Sequence, residues 1–452
     1  MKKNHIALFL MMIIVTLTLV SCSTEKPTAK NVIIIIGDGA GFNQLQAGSY
    51  YVHGEENALT AQKFPVTLAA ATYPATGHGY NPDQVVANFE YLKEKYTDSA
   101  ASGTALATGH KTYNGAIGVD TLKNPLTNIF EMAEAAGKAT GVVTSVPFNH
   151  ATPATFIAHN ESRNNYHEIA AEMISESAVD VIIGCGHPFY DDNSHRQPEA
   201  NYKYLSEATW NAVQEGAAGA DADGDGQADA WTFVEFRQDF QNLGKGEAPK
   251  RLLGIPQVAS TLQVNRAGAE EQTEPFFPPL TENIPRLDEM TKAAINVLDN
   301  DPDGFYLMIE AGAIDWACHG NNGPRMIEEV VDMENMVKAV VDWVEANSSW
   351  EETLVVVTAD HETGYLTGPA SGVVETESGE EKVVYQPIVN NGAGKMPGIE
   401  FHSGSHTNSL VPMLAKGTGA QGYLQMATQT DRQFGPYIDN TDIPNRIKEF
   451  LK

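Results

Sequence analysis

Histidine and carboxylate residues recur along this 452-residue chain at spacings that suit metal binding. Asp315 and His319 are four residues apart, which places both side chains on one side of a helical turn. Asp360 and His361 are adjacent, and His406 supplies another imidazole. Two histidines with one carboxylate, or one histidine with two carboxylates, are ligand sets that suit Zn²⁺ and leave positions open for a substrate. These residues therefore predict a catalytic metal centre.

A second candidate for chemistry is the segment YTDSAASGTALATGHKTYNGAIG, residues 96–118. Ser99 follows an acid and precedes a long run of small residues that would allow a helix to approach a sheet closely. A serine hydroxyl is a weak nucleophile at neutral pH, and no histidine lies close in sequence to act as its base. If Ser99 reacts, its activator must come from another part of the chain.

The candidate residues follow apolar runs of strand length, which predicts how they are positioned. Near-continuous apolar strands indicate a parallel sheet that is buried on both faces, and such sheets carry their active sites at the carboxyl ends of the strands. The runs are NVIIIIGDG, ending at Asp38; ATGVVTSVPFNHATP, ending at His150 and Thr152; GFYLMIEAGAIDWACHG, ending at Glu310, Asp315 and His319; and TLVVVTADHETG, ending at Asp360 and His361.

Helix-like patterns at 126–137, 284–298 and 326–346 alternate with these runs. Alternation of strand and helix predicts an α/β fold, with a largely parallel central sheet flanked by helices on both faces. We expect one catalytic domain over residues 31–452. Two polar stretches, about 190–283 and 369–402, are interpreted as insertions at its periphery, and the second is predicted to form a hairpin.

The first insertion contains DADGDGQAD, whose acids have calcium-loop spacing, with Gly226 where the sharp turn is needed. Thr232 stands where an EF-hand would have its bidentate glutamate, so residues 221–232 form no complete EF-hand. Calcium binding and a solvated acidic turn both remain open. The candidate calcium ligands are Asp221, Asp223, Asp225 and Asp229.

The N-terminus reads MKKNHIALFLMMIIVTLTLVSC, with two lysines and an apolar run that is short for a membrane span. Residues 1–21 are predicted to be an export signal peptide. The end of this segment resembles a bacterial lipoprotein lipobox, which predicts lipidation of Cys22, a tether over residues 22–30 and a periplasmic or cell-surface location. The alternative is an ordinary cleaved signal with an incidental cysteine. Cys185 and Cys318 form a disulfide or remain two buried thiols; the sequence leaves both open.

The net charge of the chain limits the kinds of molecule that it is expected to bind. The chain has 29 basic and 58 acidic residues, a net charge of −29. Such a surface repels nucleic acid and anionic lipid, which argues against nucleic-acid binding and leaves the Cys22 lipid as the predicted membrane contact. A phosphate substrate would need bound cations to offset this repulsion.

Several motifs together resemble those of the alkaline phosphatase family. TDSAASGTALATG is similar to that family's nucleophile signature, IGDG to its first metal motif, and HATPATFIAHNESR to a stretch supplying a magnesium ligand and a phosphate-binding arginine. The resemblance extends over about residues 30–450 and weakens in the two insertions. It implies hydrolysis of phosphate monoesters at alkaline pH through a phosphoserine, in a homodimer containing two zinc ions and one magnesium ion per chain.

The resemblance also implies a role for each matching residue. Ser99 would be the transiently phosphorylated nucleophile, activated by the second zinc, and Arg163 would hold phosphate oxygens. The first zinc would be held by Asp315, His319 and His406, the second by Asp360 and His361, the magnesium by Thr152 and Glu310, and Asp38 would bridge the second zinc and the magnesium.

Two positions depart from the enterobacterial type, which has an aspartate and a lysine where this chain has His150 and Trp316. Loss of an acid near the magnesium and of a cation near phosphate is expected to alter metal preference at the third site and the retention of product.

Two alternative functions follow from the same residues. One is a phosphodiesterase or sulfatase on the same core, which Arg163 disfavours because it crowds the space of a second phosphate substituent. The other is a calcium-stabilised surface binding module, which would not need Ser99 or Arg163 beside its metals.

Overall fold

The structure is a computed structural model and describes residues 28–222, 226–268 and 272–451. The predicted signal peptide, Cys22 with most of its tether, and the calcium-loop residues Asp223 and Asp225 lie outside these ranges. Within the described residues, no helix is both long enough and apolar enough to span a membrane.

A large sheet of eleven strands forms the centre of the fold. Most neighbouring strands are parallel, whereas the strands Val411–Gly417 (β15) and Gln429–Asp431 (β16) are antiparallel to their neighbours. In sheet order the strands are β16 (Gln429–Asp431), β17 (Gly435–Asp439), β2 (Val66–Ala71), β15 (Val411–Gly417), β8 (Thr353–Thr358), β1 (Asn31–Gly37), β7 (Phe305–Ala311), β3 (Ala139–Pro147), β4 (Val181–Cys185), β6 (Leu252–Gly254) and β5 (Thr232–Val234).

The four strands that precede the candidate site residues are adjacent in this sheet, in the order β8, β1, β7, β3. All three of their pairings are parallel, with Ile36 opposite both Glu310 and Thr358. Every residue of these strands is buried. Their β-branched and other apolar side chains fill both faces of the sheet, as the continuous apolar runs predicted. Because the strands are parallel, their carboxyl ends meet along one edge.

Two groups of helices pack around the sheet. In one group α11 (Gly323–Asn347) contacts α1 (Phe42–His53), α9 (Leu287–Leu298) and α10 (Ala313–His319), and α9 contacts α8 (Arg237–Leu243). In the other, α3 (Ser99–Thr108) contacts α4 (Ile129–Ala135), α5 (Ala151–Thr155) and α13 (Asp442–Ile447), and α13 contacts α12 (Tyr423–Met426). The remaining helices are α2 (Pro82–Ala87), α6 (Tyr166–Ala171) and α7 (Glu207–Gln214). The predicted α/β class with a largely parallel sheet is confirmed.

The small-residue run after Ser99 forms α3, and all ten of its residues are buried. A Cβ added at Gly103 would lie 2.7 Å from Thr155 Oγ1, so the absence of a side chain there permits the close contact between α3 and α5. Close packing explains the composition of the run.

The two predicted insertions contain regular elements of their own. Residues 190–283 contribute α7 and α8, and their strands β5 and β6 complete one edge of the central sheet. Residues 369–402 contain the predicted hairpin, as β11 (Gly372–Glu375) and β12 (Glu381–Val384). Two further small antiparallel pairs join β9 (Glu362–Thr363) to β14 (His406–Thr407), and β10 (Leu366–Thr367) to β13 (Glu400–Phe401).

Cys185 and Cys318 are buried free thiols rather than a disulfide. Burial raises the pKa of both thiols well above the ordinary range, so they remain protonated.

Candidate active site

The residues predicted to form the first zinc site lie together at one end of the site. Asp315 Oδ2 is 3.3 Å from His319 Nε2, and Asp315 Oδ1 is 3.5 Å from His406 Nε2. The two Nε2 atoms are 3.1 Å apart. On the outer sides of the rings, His319 Nδ1 faces Gly404 O at 2.8 Å, and His406 Nδ1 faces Thr97 O at 2.9 Å.

These outer contacts determine the tautomers of both rings. A carbonyl oxygen is only a hydrogen-bond acceptor, so each Nδ1 carries the hydrogen and donates it, and each neutral ring presents its Nε2 lone pair to its neighbour. Two lone pairs that face each other at 3.1 Å repel unless a cation lies between them. The arrangement of donors therefore fits a metal ion, with outer hydrogen bonds of the kind that orient metal-binding histidines.

The second group surrounds His361 and is fully buried. His361 Nε2 lies 3.2 Å from Asp360 Oδ2, 3.5 Å from Asp38 Oδ1 and 3.2 Å from Ser99 Oγ. The other ring nitrogen faces Thr363 Oγ1 at 3.2 Å, and Thr363 donates to Asp315 Oδ1 at 2.5 Å. Thr363 thereby connects the two groups. The Ser99 hydroxyl points at the same space as the three candidate ligands.

The predicted magnesium ligands lie beside this second group. Glu310 is on β7 and Thr152 is on α5, and both are fully buried. Thr144 donates its hydroxyl hydrogen to Glu310 Oε2. The opposite oxygen, Glu310 Oε1, has no hydrogen-bond partner, and neither does Thr152 Oγ1.

Several other polar atoms of the site share this lack of partners. Asp38 Oδ1, Asp38 Oδ2 and Asp360 Oδ2 are buried without a hydrogen bond. A buried polar atom without a partner costs about 1–3 kcal/mol, and more if it is charged. These oxygens are hard donors of the kind that divalent cations bind. The side chains present therefore fit a metal centre, and Asp315, His361 and His406 and likewise Asp38, Asp360 and His361 lie close enough together to hold an ion.

The electrostatics of the carboxylates lead to the same conclusion. Burial, followed by repulsion from Asp360, Asp315 and Glu310, raises the pKa of Asp38 well above its usual range. Burial and the neighbouring carboxylates raise the pKa of Asp360 to about 8, and burial raises that of Glu310 to about 7. Burial also lowers the pKa of His361 and His406, which keeps both rings neutral and able to bind a metal.

Arg163 lies opposite these carboxylates and is held by two contacts. Its Nη1 donates to Asp98 Oδ2 at 3.0 Å, and its Nη2 lies 3.2 Å from His150 Nε2. Burial lowers the pKa of His150 well below its usual range, so its neutral Nε2 accepts from the guanidinium. His150 also contacts Trp316, with ring centroids 5.7 Å apart. His150 thus acts on Arg163 directly, which its position in the sequence did not indicate.

Ser99 stands at the first turn of α3, where free backbone N–H groups favour an anion. Asp98 caps this helix, because its Oδ1 accepts from Ala101 N at 2.9 Å. A cavity of about 320 Å³ opens in front of the serine. Its lining comprises Ser99, His150, Arg163, Asp315, Trp316, His319 and His406.

Sequence reasoning missed Asp98 and Thr363 as parts of the site. Asp98 was detectable, because an acid directly before a candidate nucleophile at a helix start is able both to cap the helix and to reach a neighbour. Thr363 had no such signal, since a threonine two residues after His361 is an ordinary strand residue.

The candidate calcium residues that the structure describes lie far from this site in sequence. Asp221 Oδ2 accepts from Gly226 N at 2.9 Å, and Asp229 Oδ2 accepts from Ala222 N at 3.1 Å. Asp229 Oδ1 also pairs with Lys250 Nζ at 2.6 Å.

The fold and the site together define an α/β protein with a candidate metal centre next to a serine and an arginine. Comparison with known proteins identifies the family: the model of the alkaline phosphatase family matches residues 29–410. The chain belongs to the alkaline phosphatase family.

Individual relatives agree with this assignment. Alkaline phosphatase 4 of Bacillus subtilis is 32% identical over 359 residues, and the match covers 77% of this chain and 64% of that relative. Alkaline phosphatase of Escherichia coli is 30% identical over 434 residues, covering 90% of this chain and 85% of the relative. The crystal structure of a cold-active alkaline phosphatase from a psychrophilic Shewanella has a TM-score of 0.66 at 25% identity, covering 93% of this chain and all of that one.

Proposed function

We propose that this protein hydrolyses phosphate monoesters at alkaline pH through a phosphoserine intermediate on Ser99. The observation that carries the proposal is the position of Ser99 Oγ. It lies 3.2 Å from His361 Nε2, at the start of α3, in a cavity that Arg163 also lines. A nucleophile, an oxyanion-binding arginine and metal donors therefore face one space, as phosphoryl transfer requires.

Two zinc ions and one magnesium ion are the proposed cofactors. Asp315, His319 and His406 would hold the first zinc, and Asp360 and His361 the second. Asp38, Thr152 and Glu310 would complete the third site. When bound, these ions supply a nucleophile of lowered pKa and offset charge on the phosphoryl group. Magnesium at the third site is consistent with a structure of the alkaline phosphatase from the Antarctic bacterium TAB5, a variant with one histidine changed to aspartate, which has Mg bound in its M3 site.

The residues of the chain divide the reaction between them. Arg163 binds two non-bridging oxygens through its guanidinium, and the N–H groups at the start of α3 bind a further oxygen. Ser99 Oγ attacks phosphorus in line with the ester oxygen; the P–O bond to the alcohol breaks, and the alcohol leaves. Water then attacks the phosphoserine, which releases inorganic phosphate and restores the Ser99 hydroxyl.

Asp98 and His150 have positioning roles in this scheme. Both contact the guanidinium of Arg163, so the two contacts fix its orientation before the substrate binds. A histidine instead of an acid at position 150 would also change the preference of the third site for its metal. Trp316 offers no cation to phosphate, so product should be held less tightly than with a lysine.

The alternative function is a phosphodiesterase or sulfatase activity, and a panel of substrates distinguishes it from hydrolysis of phosphate monoesters. The purified chain is assayed with p-nitrophenyl phosphate, bis-p-nitrophenyl phosphate and p-nitrophenyl sulfate at alkaline pH, before and after chelation and re-addition of zinc and magnesium. We expect a strong preference for the monoester that is lost on chelation and restored by the metals. Preference for the diester or the sulfate would overturn the substrate class.

The cellular context is part of the proposal. Residues 1–21 would direct export and be removed, and a lipid on Cys22 would retain the protein at a bacterial membrane, in the periplasm or on the cell surface. The tether of residues 22–30 would separate the lipid from the catalytic domain of residues 31–452. Metabolic labelling with a fatty-acid analogue tests this, because Cys22→Ala should abolish the label.

A homodimer is the proposed assembly. Helix α2 has no buried residue, and Val86 on it is 44% exposed. Next to it, Phe42 and Phe434 stack at 4.4 Å beside a cleft of about 410 Å³. A second copy of the chain would cover this apolar face. Sedimentation analysis should give twice the mass of one chain.

Calcium at residues 221–232 is the last part of the proposal, with ligands from Asp221, Asp223, Asp225 and Asp229. Asp229 accepts from Ala222 N and Asp221 accepts from Gly226 N, which holds the described ends of this segment together. The net charge of −29 supports small phosphate esters rather than nucleic acid as the substrate class.

A further inference from the structure

A chain of buried hydrogen bonds connects the C-terminal part of the molecule to the active site. Asn440 follows β17 and is fully buried. Its Nδ2 donates to Ser102 Oγ at 3.0 Å, and Ser102 Oγ donates to the backbone oxygen of Asp360 at 2.6 Å. Three segments that are distant in sequence therefore meet in one polar contact.

The orientation of the Asn440 amide is fixed by its other neighbours. Its Oδ1 accepts from Lys111 Nζ at 2.7 Å, and its backbone N donates to Ala71 O at 3.0 Å. Burial lowers the pKa of Lys111 to about 8, although Asp439 Oδ1, 3.2 Å from its Nζ, favours the charged form. The ammonium present below that pH has only hydrogens to offer, so the amide oxygen faces Lys111 and the NH₂ group faces Ser102. With its lone pairs engaged by Asn440, the Ser102 hydroxyl directs its hydrogen to Asp360.

The two ends of this chain adjoin groups proposed to react or to bind metal. Ser102 lies nearly one turn after Ser99 on α3, and the Asp360 carbonyl lies directly before His361. The bond between Ser102 and Asp360 thus sets the distance between the nucleophile helix and the turn that supplies metal ligands. The observed 3.2 Å between Ser99 Oγ and His361 Nε2 depends on that distance.

We propose that Asn440 is a positioning residue, which acts through Ser102 to hold the nucleophile helix in register with the metal-binding turn. This inference rests on the proposed function, because it assumes that Ser99 reacts and that Asp360 and His361 bind metal. Asn440 itself touches no substrate.

The variant Asn440→Asp tests the proposal with almost no change in volume. One carboxylate oxygen still accepts from Lys111, while the other replaces the NH₂ group and draws the Ser102 hydroxyl hydrogen away from Asp360. We expect kcat to fall about tenfold to a hundredfold with KM little changed, since a misplaced nucleophile slows chemistry rather than binding. Ser102→Ala, which removes the same link with a smaller risk to folding, should give a similar fall.

A control on the same helix separates positioning from general loss of packing. Thr108 is also a buried hydroxyl residue of α3, but it donates within the helix, to Thr104 O at 2.7 Å. Thr108→Val should leave kcat within about twofold of the wild type. In a double-mutant cycle, Ser102→Ala and Asn440→Asp should be strongly non-additive in kcat, whereas Thr108→Val and Asn440→Asp should be additive.

A readout that does not require turnover completes the test. The zinc-loaded proteins are mixed with a coloured chelator, and zinc release is followed with time. Asn440→Asp should release zinc several times faster than Thr108→Val, because the turn that carries Asp360 has lost its anchor. If the wild type hydrolyses none of the three p-nitrophenyl substrates, the proposed function fails, while release rates still decide the role of Asn440. Additive cycles, with release rates equal to that of Thr108→Val, would overturn the positioning role.

Discussion

Two parts of the molecule bury carboxylates but differ in what balances the negative charge. One is the Glu328 cluster, formed by Glu328, Arg266 and Arg325, and the other is the candidate site. Glu328, on α11, is 3% exposed and accepts from Arg266 Nη1 at 2.7 Å, Arg266 Nη2 at 3.0 Å and Arg325 Nη1 at 3.2 Å. Gln272 and the backbone of Phe276 donate to it as well. In the candidate site, Asp38 has no hydrogen bond at either oxygen, and Asp360 Oδ2 has none.

The difference shows in which cluster protein groups alone balance the buried negative charge. Burial raises the pKa of Glu328, but Arg266 and the hydrogen bonds from the Phe276 backbone and Gln272 oppose that shift. For Asp38, burial and the surrounding carboxylates all raise the pKa. A buried charge without a partner is strongly unfavourable. The Glu328 cluster therefore belongs to the framework of the fold, whereas the site cluster requires cations from solution.

The largest predicted effect is that of Asp360→Asn, in the candidate site. We expect kcat/KM to fall about 10³-fold or more, because a lost ligand removes several kcal/mol of transition-state stabilisation. The metal-free form of the same variant should melt at a higher temperature than metal-free wild type, since one buried carboxylate is gone. Steady-state kinetics and calorimetry measure the two effects. A variant that loses activity but gains no stability would contradict the view of Asp360 as an uncompensated charge.

Glu328→Gln should have the opposite pattern. Removing this charge leaves Arg266 buried without its counter-ion, which costs about 3–5 kcal/mol of unfolding free energy. Activity per folded molecule should stay close to that of the wild type, because no substrate or proposed metal ligand is touched. Urea denaturation with the active fraction measured in parallel tests this. Loss of activity without loss of stability would refute the framework role.

The two clusters should also differ in pH dependence once metals are removed. The folded pKa values of Asp360, about 8, and of Asp38 and Glu310 lie above those in the unfolded chain. Such groups contribute stability that is present below about pH 4 and is lost as pH rises toward about 8. Metal-free wild type should therefore lose stability between these limits. The loss should be clearly smaller in Asp360→Asn. In Glu328→Gln it should be only slightly smaller than in the wild type, because burial raises the pKa of Glu328 as well but Arg266 opposes that shift. Equal slopes in all three proteins would remove this explanation.

The smallest effect is expected at the candidate calcium loop, residues 221–232, which is a group of acids outside the candidate site. Asp229 already pairs with Lys250 there. Calcium should raise the melting temperature of the wild type by a few degrees, and Asp225→Ala should abolish this increase without changing the calcium-free value. Melting temperatures that do not respond to calcium in either protein would contradict calcium binding and favour the interpretation of this segment as a solvated acidic turn.

Sequence patterns predicted the α/β class and the sheet edge where Asp38, Glu310, Asp360 and His361 lie together. They did so because strand ends are local features and parallel strands align those ends. The residue roles themselves remain predictions. The contact of His150 with Arg163, the Thr363 link between the two metal groups and the bonds of Asn440 were not predictable. Each depends on which distant segments pack together, and pattern alone does not specify that.

Ser99 is proposed to carry the phosphoryl group during turnover. The most direct measurement is acid quenching of the metal-loaded protein during hydrolysis of p-nitrophenyl phosphate, followed by mass spectrometry of its peptides. We expect one phosphoryl group on the peptide containing Ser99, and neither phosphopeptide nor turnover in the metal-loaded Ser99→Ala protein. Full turnover by Ser99→Ala, or a phosphoryl group on a different residue, would contradict this proposal.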